Sequence, residues 1–190
     1  MNPAVVLVAC CVFLAGCATT PEGIAKGYWR KDKNKGLVVY STRLDSRCRS
    51  GTKLLNLGAE GLTLTGKRVL RLLAVDNVFM KHAFTSPPGY HFVQAWDAGE
   101  YGLTTSGSLL SFEQPAHKEF DVFFHVEPGV IQYLGEFYVE MPDCFSYRVS
   151  VQDQFARDAQ LLDQRMGKAL SAQMVARVVE LPKQEAASER

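Results

Sequence analysis

The stretch FDVFFHVEPGVIQYLGEFYVE, residues 120–140, decides the fold. Read with a period of two, Phe120, Val122, Phe124 and Val126 share one face, and Asp121, Phe123 and His125 the other. That alternation is the mark of a strand with one side against a core. After the turn, Ile131, Tyr133, Phe137 and Val139 share a face. Gln132, Glu136 and Glu140 are expected to look outward, with Leu134 and Tyr138 as exceptions. Gly135 inside this strand predicts a bulge or a close approach by a neighbouring side chain. Between the strands, Pro128 presets φ and Gly129 supplies the positive φ of a type II turn. Such a turn opposes the twist of a tight hairpin, so a wider hairpin or a corner between sheets is expected. SPPGYHFVQAW, residues 86–96, repeats the pattern, but two copies do not make a repeat array.

Working outward, the β signal starts at Gly36 with GLVVYSTRL. LTLTG (62–66) alternates, and VLRLLAV (69–75) is a more continuous apolar run that suggests burial on both faces. NVFMKHAFT (77–85) and CFSYRVSV (144–151) read as further strands. The period changes in residues 153–170, where Phe155, Leu162 and Met166 recur at helical spacing with Ala159 between them. Asp153 is the expected N-cap and Gly167 the stop. MVARVVELP (174–182) reads as a last strand ending at Pro182. Short strands separated by Gly/Pro turns predict a mostly β chain, a sandwich or small barrel over residues 36–182, with one short amphipathic helix near the C-terminus. The polar residues 183–190 are expected to be a disordered tail. The Pro-Gly-aromatic and PGVIQYLGEF units resemble those of small envelope lipoproteins with immunoglobulin- or transthyretin-like β-sandwich domains, and imply that architecture here.

Charge excludes one function class. Lys+Arg number 21 against 20 Asp+Glu, so the basic excess of a nucleic-acid binder is missing. Residues 3–16, PAVVLVACCVFLAG, form an uncharged apolar run, too short to span a bilayer but right for a secretory signal. It ends in Leu14-Ala15-Gly16-Cys17, which resembles the lipobox of bacterial lipoproteins. The small residues before the cut suit a peptidase gripping an extended backbone, and the thiol is free to take a diacylglyceryl group. The resemblance implies removal of residues 1–16 as signal peptide, lipidation of Cys17 and acylation of its new amine. Two or more chains make a firm anchor, at about 0.8 kcal/mol per buried CH2. Ala18, rather than the Asp that often marks inner-membrane retention in that class, implies the periplasmic leaflet of the outer membrane. An ordinary cleaved signal, leaving a soluble secreted protein, is the alternative.

Processing would leave Cys48 and Cys144 in an oxidising compartment, which suggests one disulfide closing a loop of about 96 residues, worth about 4–5 kcal/mol in the chain-entropy model. Two buried free thiols are the plain alternative. Residues 17–35 read as the lipidated cysteine and a flexible tether carrying Lys26, Arg30, Lys31, Lys33 and Lys35, with Tyr28 and Trp29 among them. Two readings stand: a segment lying on anionic headgroups, or a solvated linker whose aromatics tuck against the domain.

Catalytic motifs are missing. No GxSxG occurs, and TTSGSLLS (104–111) lacks the elbow's spacing. No CxxC or HExxH spacing suggests a metal, and no cofactor motif is present. His82, His91, His117 and His125 are scattered. WDAGEYG places Trp96, Asp97, Glu100 and Tyr101 beside two glycines, as a loop that binds a sugar or a partner, or as a plain turn. The expected function is therefore a non-enzymatic binding or assembly module, held on the membrane by its lipid and contacting another envelope protein. An envelope hydrolase with an unrecognised site near the histidines is the alternative.

Overall fold

The computed structural model describes residues 20–47, 55–76, 80–106, 119–142, 148–167 and 169–181. Ten strands occur there: β1 (Lys35–Ser46), β2 (Leu55–Thr63), β3 (Arg68–Asp76), β4 (Phe84–Thr85), β5 (Pro88–Asp97), β6 (Gly99–Ser106), β7 (Glu119–Val126), β8 (Ile131–Met141), β9 (Arg148–Gln152) and β10 (Met174–Ala176). Two helices join them, α1 (Pro21–Ala25) and α2 (Phe155–Met166), with 3-10 turns at Tyr28–Lys31 and Ser171–Gln173. The strands make two sheets, β10-β8-β1-β5-β4 with β9 also on β8, and β3-β2-β6-β7. The protein is a mostly β, two-sheet sandwich with one long helix near its C-terminal end, as the alternation predicts.

Side chains of a strand point to opposite faces, so the central strand β1 serves two cores. Val38 and Tyr40 meet Leu57, Leu73, Trp96, Tyr101 and Phe137 between the sheets. Leu37 and Val39 face the other way, toward Ile24, Trp29, Val93, Ile131 and Leu162. The molecule therefore has three layers: helices, large sheet, small sheet. Helix α2 follows its sequence pattern. Leu162 and Met166 are buried, and Phe155 and Ala159 pack beside them. The N-cap is Gln154 rather than the expected Asp153, and it makes no side-chain cap bond. Asp153, one residue earlier, accepts the Phe155 N–H at 2.9 Å, and Gly167, at φ 63°, closes the last turn.

Two of the crossings between sheets are tight corners within the described residues. One is the expected type II turn, with Gly129 at φ 75° between β7 and β8. The other is Ala98 alone, between β5 and β6. The first Pro-Gly pair behaves differently: Pro88 and Gly89 lie inside β5, opposite Thr85 and Phe84. Gly89 is needed there because a Cβ would enter the Phe84 ring and lie 2.7 Å from the Thr42 carbonyl oxygen.

Four expectations change. First, β8 does bulge at Gly135, where φ is 107° and the register against β1 shifts. The extra residue reverses the side-chain phase beyond it. Ile131 and Tyr133 face the helices, whereas Leu134, Phe137 and Val139 face the small sheet. Gln132 and Glu136 are buried rather than outward, and Glu140 alone of that trio is exposed. Secondly, β3 is buried on one face only: Leu73 and Val75 are inside, while Leu70 and Leu72 are exposed. Thirdly, the final strand covers only Met174–Ala176, although Arg177 and Val179 still donate to the Tyr133 and Leu134 carbonyls.

Lastly, the expected tether over residues 17–35 is ordered from Thr20 onward. Thr20 caps α1 by accepting the Gly23 N–H, and Pro21 occupies the first helical turn, where its missing N–H is harmless. Ile24 and Trp29 are each 1% exposed and anchor the segment between α2 and the large sheet. Trp29 thus tucks against the domain, as the linker reading held. Trp29→Ala should cost about 3–5 kcal/mol in urea denaturation, where a flexible tether would show no change. Gly135→Ala should cost about 2–4 kcal/mol, since its Cβ would strike the Val151 side chain as well as strain φ. Gly66→Ala, also at positive φ but with open space, should cost about 1 kcal/mol.

Candidate functional site

Register brings a row of polar side chains together under α2. His91 on β5 lies opposite Ser41 on β1, Ser41 beside Glu136 on β8, and Glu136 opposite Gln152 on β9. Ser41 and Glu136 are fully buried, and His91 is 3% exposed. The first turn of α2 lays Arg157 and the buried Asp158 onto this row. Every edge of the Arg157 guanidinium is used. Nε donates to Asp158 Oδ1 at 2.8 Å, Nη1 to Glu136 Oε2 at 2.6 Å, and Nη2 to Ser41 Oγ at 2.7 Å. The Phe84 ring lies 4.0 Å from its centre. Ser41 in turn donates to Asp158 Oδ2 at 2.6 Å.

A second cation balances the set. Arg43 Nη2 stands 3.3 Å from Glu136 Oε1, out of line for a hydrogen bond, and reaches Gln152 Oε1 at 3.3 Å. Arg43 also lies over the Tyr138 ring. Two guanidiniums thus meet two buried carboxylates, which buried charge requires. Burial works against the Arg157 charge, but Asp158 and Glu136 outweigh it and hold its pKa above the usual value.

Ser41, His91 and Asp158 are the residue types of a hydrolase triad, in the wrong order. A triad hands the serine proton to histidine, with the acid behind the histidine. Here the serine proton goes to the carboxylate directly, Arg157 donates to the serine oxygen, and Ser41 is closed to solvent. The cluster docks a helix on a sheet. His91 stands at its margin, lining a cleft of about 350 Å³ with Met80, Lys81, Ala83, Tyr90 and Arg165. Its Nε2 has no hydrogen-bond partner, while Arg165 donates to its backbone carbonyl at 2.8 Å. Burial lowers the His91 pKa to about 4, against the opposing pull of Asp158, so the ring is neutral at pH 7.

The residues singled out in sequence fall elsewhere. Trp96, Asp97, Glu100 and Tyr101 flank the Ala98 corner rather than forming a binding loop. Trp96 and Tyr101 are fully buried, 5.1 Å apart ring to ring. Asp97 joins the sheets, accepting from Lys35 of β1 and Arg71 of β3 at 2.8 Å each. Burial alone would raise its pKa, but Lys35 and Arg71 together hold it below the usual carboxylate range. Glu100 is exposed and pairs with His125 across β6 and β7 at 2.6 Å. His82 packs on Tyr90. Among the described residues no three or more of His, Cys, Asp and Glu gather as a metal site. Cys17, Cys48, Cys144 and His117 lie outside the described residues.

A different surface emerges on the outer face of the small sheet. Leu62, Leu70, Leu72 and Phe123 are 54%, 55%, 41% and 76% exposed there. Pairing sets Leu70, Glu60, Gly102 and Phe123 in one row. The sequence reading missed Ser41, Arg43, Arg157 and Asp158 altogether. The available signal was Gly135: carrying its bulge through the alternation turns Glu136 inward, where it demands a cation.

No family model matches the chain, and no curated protein matches it.

Arg157→Met should cost about 3–5 kcal/mol in chemical denaturation, because it strands two buried carboxylates. The loss should shrink in a Glu136→Gln background, a coupling that a double-mutant cycle reads. His91 gives a pH signature. Its folded pKa is depressed, so the unfolded chain binds the extra proton between about pH 6.5 and 4, and stability falls as pH drops through that window. The protein should lose about 3 kcal/mol more between pH 7 and 4 than His91→Gln does, measured by urea melts at each pH.

Proposed function

We propose that the chain is a bacterial envelope lipoprotein. Its signal peptide is removed before Cys17, lipid on that residue anchors it in the periplasmic leaflet of the outer membrane, and the sandwich acts as a non-enzymatic binding or assembly module. The observation that carries the module reading is the use made of its polar residues. Ser41, Asp158, Glu136 and Arg157 are committed to one another beneath α2, with no hydroxyl released for attack. The uncovered apolar face of Leu62, Leu70, Leu72 and Phe123 supports contact with another envelope protein. It lies across both sheets from Thr20, and so away from the anchor. Confinement by lipid raises the effective concentration of weak contacts made there.

A disulfide between Cys48 and Cys144 belongs to the same reading. β1 and β8 run parallel and finish side by side, with Ser46 paired to Met141 and the Arg47 N–H on the Met141 carbonyl. Cys48 follows two residues after Ser46 and Cys144 three after Met141. Non-reducing mass analysis should recover the two joined, and two alkylatable thiols would exclude the bridge.

Cys17→Ser should move the protein out of the membrane fraction and remove the acyl mass. Unchanged fractionation would refute the anchor. Crosslinking in intact cells should recover one stoichiometric envelope protein, and Phe123→Glu with Leu70→Glu should abolish the adduct. Hydrolytic activity lost in His91→Ala would instead favour an enzyme.

A further inference from the structure

The segment between the proposed lipid and β1 is too short and too well packed to be a stalk. Three residue steps separate Cys17 from Thr20, a reach of roughly 10 Å at full extension. Order begins at once, with Thr20 capping α1. Ile24 and Trp29 point inward, with Gly23 and Ala25 beside them, and the charged residues around them are turned outward. Lys26, Arg30, Lys31 and Lys33 are all exposed there, against Glu22 and Asp32. The 3-10 turn sets Tyr28 and Lys31 on one side, with the ammonium 5.0 Å from the ring centre. Tyr28 is 37% exposed, an aromatic with a polar tip among cations. Arg30 is braced against the Trp29 ring and the Gln173 side chain, and Lys26 against Glu22.

We infer that this face, Lys26, Tyr28, Arg30, Lys31 and Lys33, is a binding platform for an anionic phospholipid surface. The inference rests on the lipoprotein reading. The lipid at Cys17 brings the platform to within a few Debye lengths of the headgroups, where fixed cations act. Tyr28 supplies the amphipathic ring favoured at that depth. Together they dock the helical layer on the bilayer and turn the small sheet outward. The buried Trp29 keeps the cations in one orientation, so the platform is built before it meets lipid.

The test uses the chain from Ala18 onward, without lipid, since every described element and both cores lie within residues 20–181. Sedimentation with vesicles of 30% phosphatidylglycerol in phosphatidylcholine should show at least tenfold tighter binding than with phosphatidylcholine alone at 50 mM salt. The difference should vanish at 500 mM salt. Changing Lys26, Arg30, Lys31 and Lys33 to Gln should weaken binding at least tenfold. Changing four other exposed cations, Arg47, Lys67, Lys81 and Arg148, to Gln should change it less than twofold. Thermal melts check the fold of each. If the first variant melts early, Lys26/Arg30→Gln and Lys31/Lys33→Gln should each weaken binding about threefold. Equal losses from both quadruple variants, or parent binding indifferent to phosphatidylglycerol, would overturn the platform. Since the tested chain carries no lipid, either failure is separate from failure of the anchor, which the acyl mass on Cys17 reads.

Discussion

A one-residue insertion in β8 governs what the helix meets. At Gly135 the strand gains a residue, and all later side chains exchange faces. Without the bulge, Phe137 and Val139 would point at α2 and Glu136 into the space between the sheets. With it, the inter-sheet core keeps its apolar lining and a carboxylate arrives beneath the helix. Glu136 is fully buried there, so it needs a cation held in place. Arg157, on the first turn of α2, is that cation, and Asp158 and Ser41 complete its donor set. The helix is thus keyed to the sheet in one position by charge, and held there by Leu162 and Met166.

This division between specifying and stabilising contacts recurs at the corner. Asp97 links Lys35 of the large sheet to Arg71 of the small one, while the rings of Trp96, Tyr101 and Phe124 bury the apolar area alongside. Ion pairs half open to water contribute little energy, but they fix how two apolar surfaces meet. The set beneath α2 is costlier to disturb, since its two carboxylates are fully buried.

The local parts of this fold were legible in the sequence. The alternation of residues 120–126, the positive-φ Gly129, the helical spacing of Phe155, Leu162 and Met166, and the bulge at Gly135 all depend on neighbours a few residues away. Most of β2 escaped notice because Gly58 and Gly61 interrupt its alternation. A Cβ on Gly61 would meet the Tyr101 ring, so the gap in the pattern is itself a packing requirement. The charged cluster was illegible for a different reason. Ser41 and Arg157 are 116 residues apart, and nothing local marks a serine or glutamate as buried. Trp29 sat in a stretch of lysines that reads as solvated, and only the distant Val93 and Ile131 it packs with explain its burial.

The two sheets end differently. The large sheet ends on one side in β4, two residues long, and on the other in β9 and β10, five and three residues long, so its outermost strands are short. The small sheet finishes in β3 and β7, nine and eight residues long, whose outermost amides and carbonyls find no further strand among the described residues. The small sheet thus offers two full-length borders for strand addition by another chain. The exposed Arg68 on β3 opposes such addition, since two such borders in register repel. A variant that neutralised Arg68 alone would leave the Asp97 link intact and yet favour clumping, a liability felt most where molecules meet often.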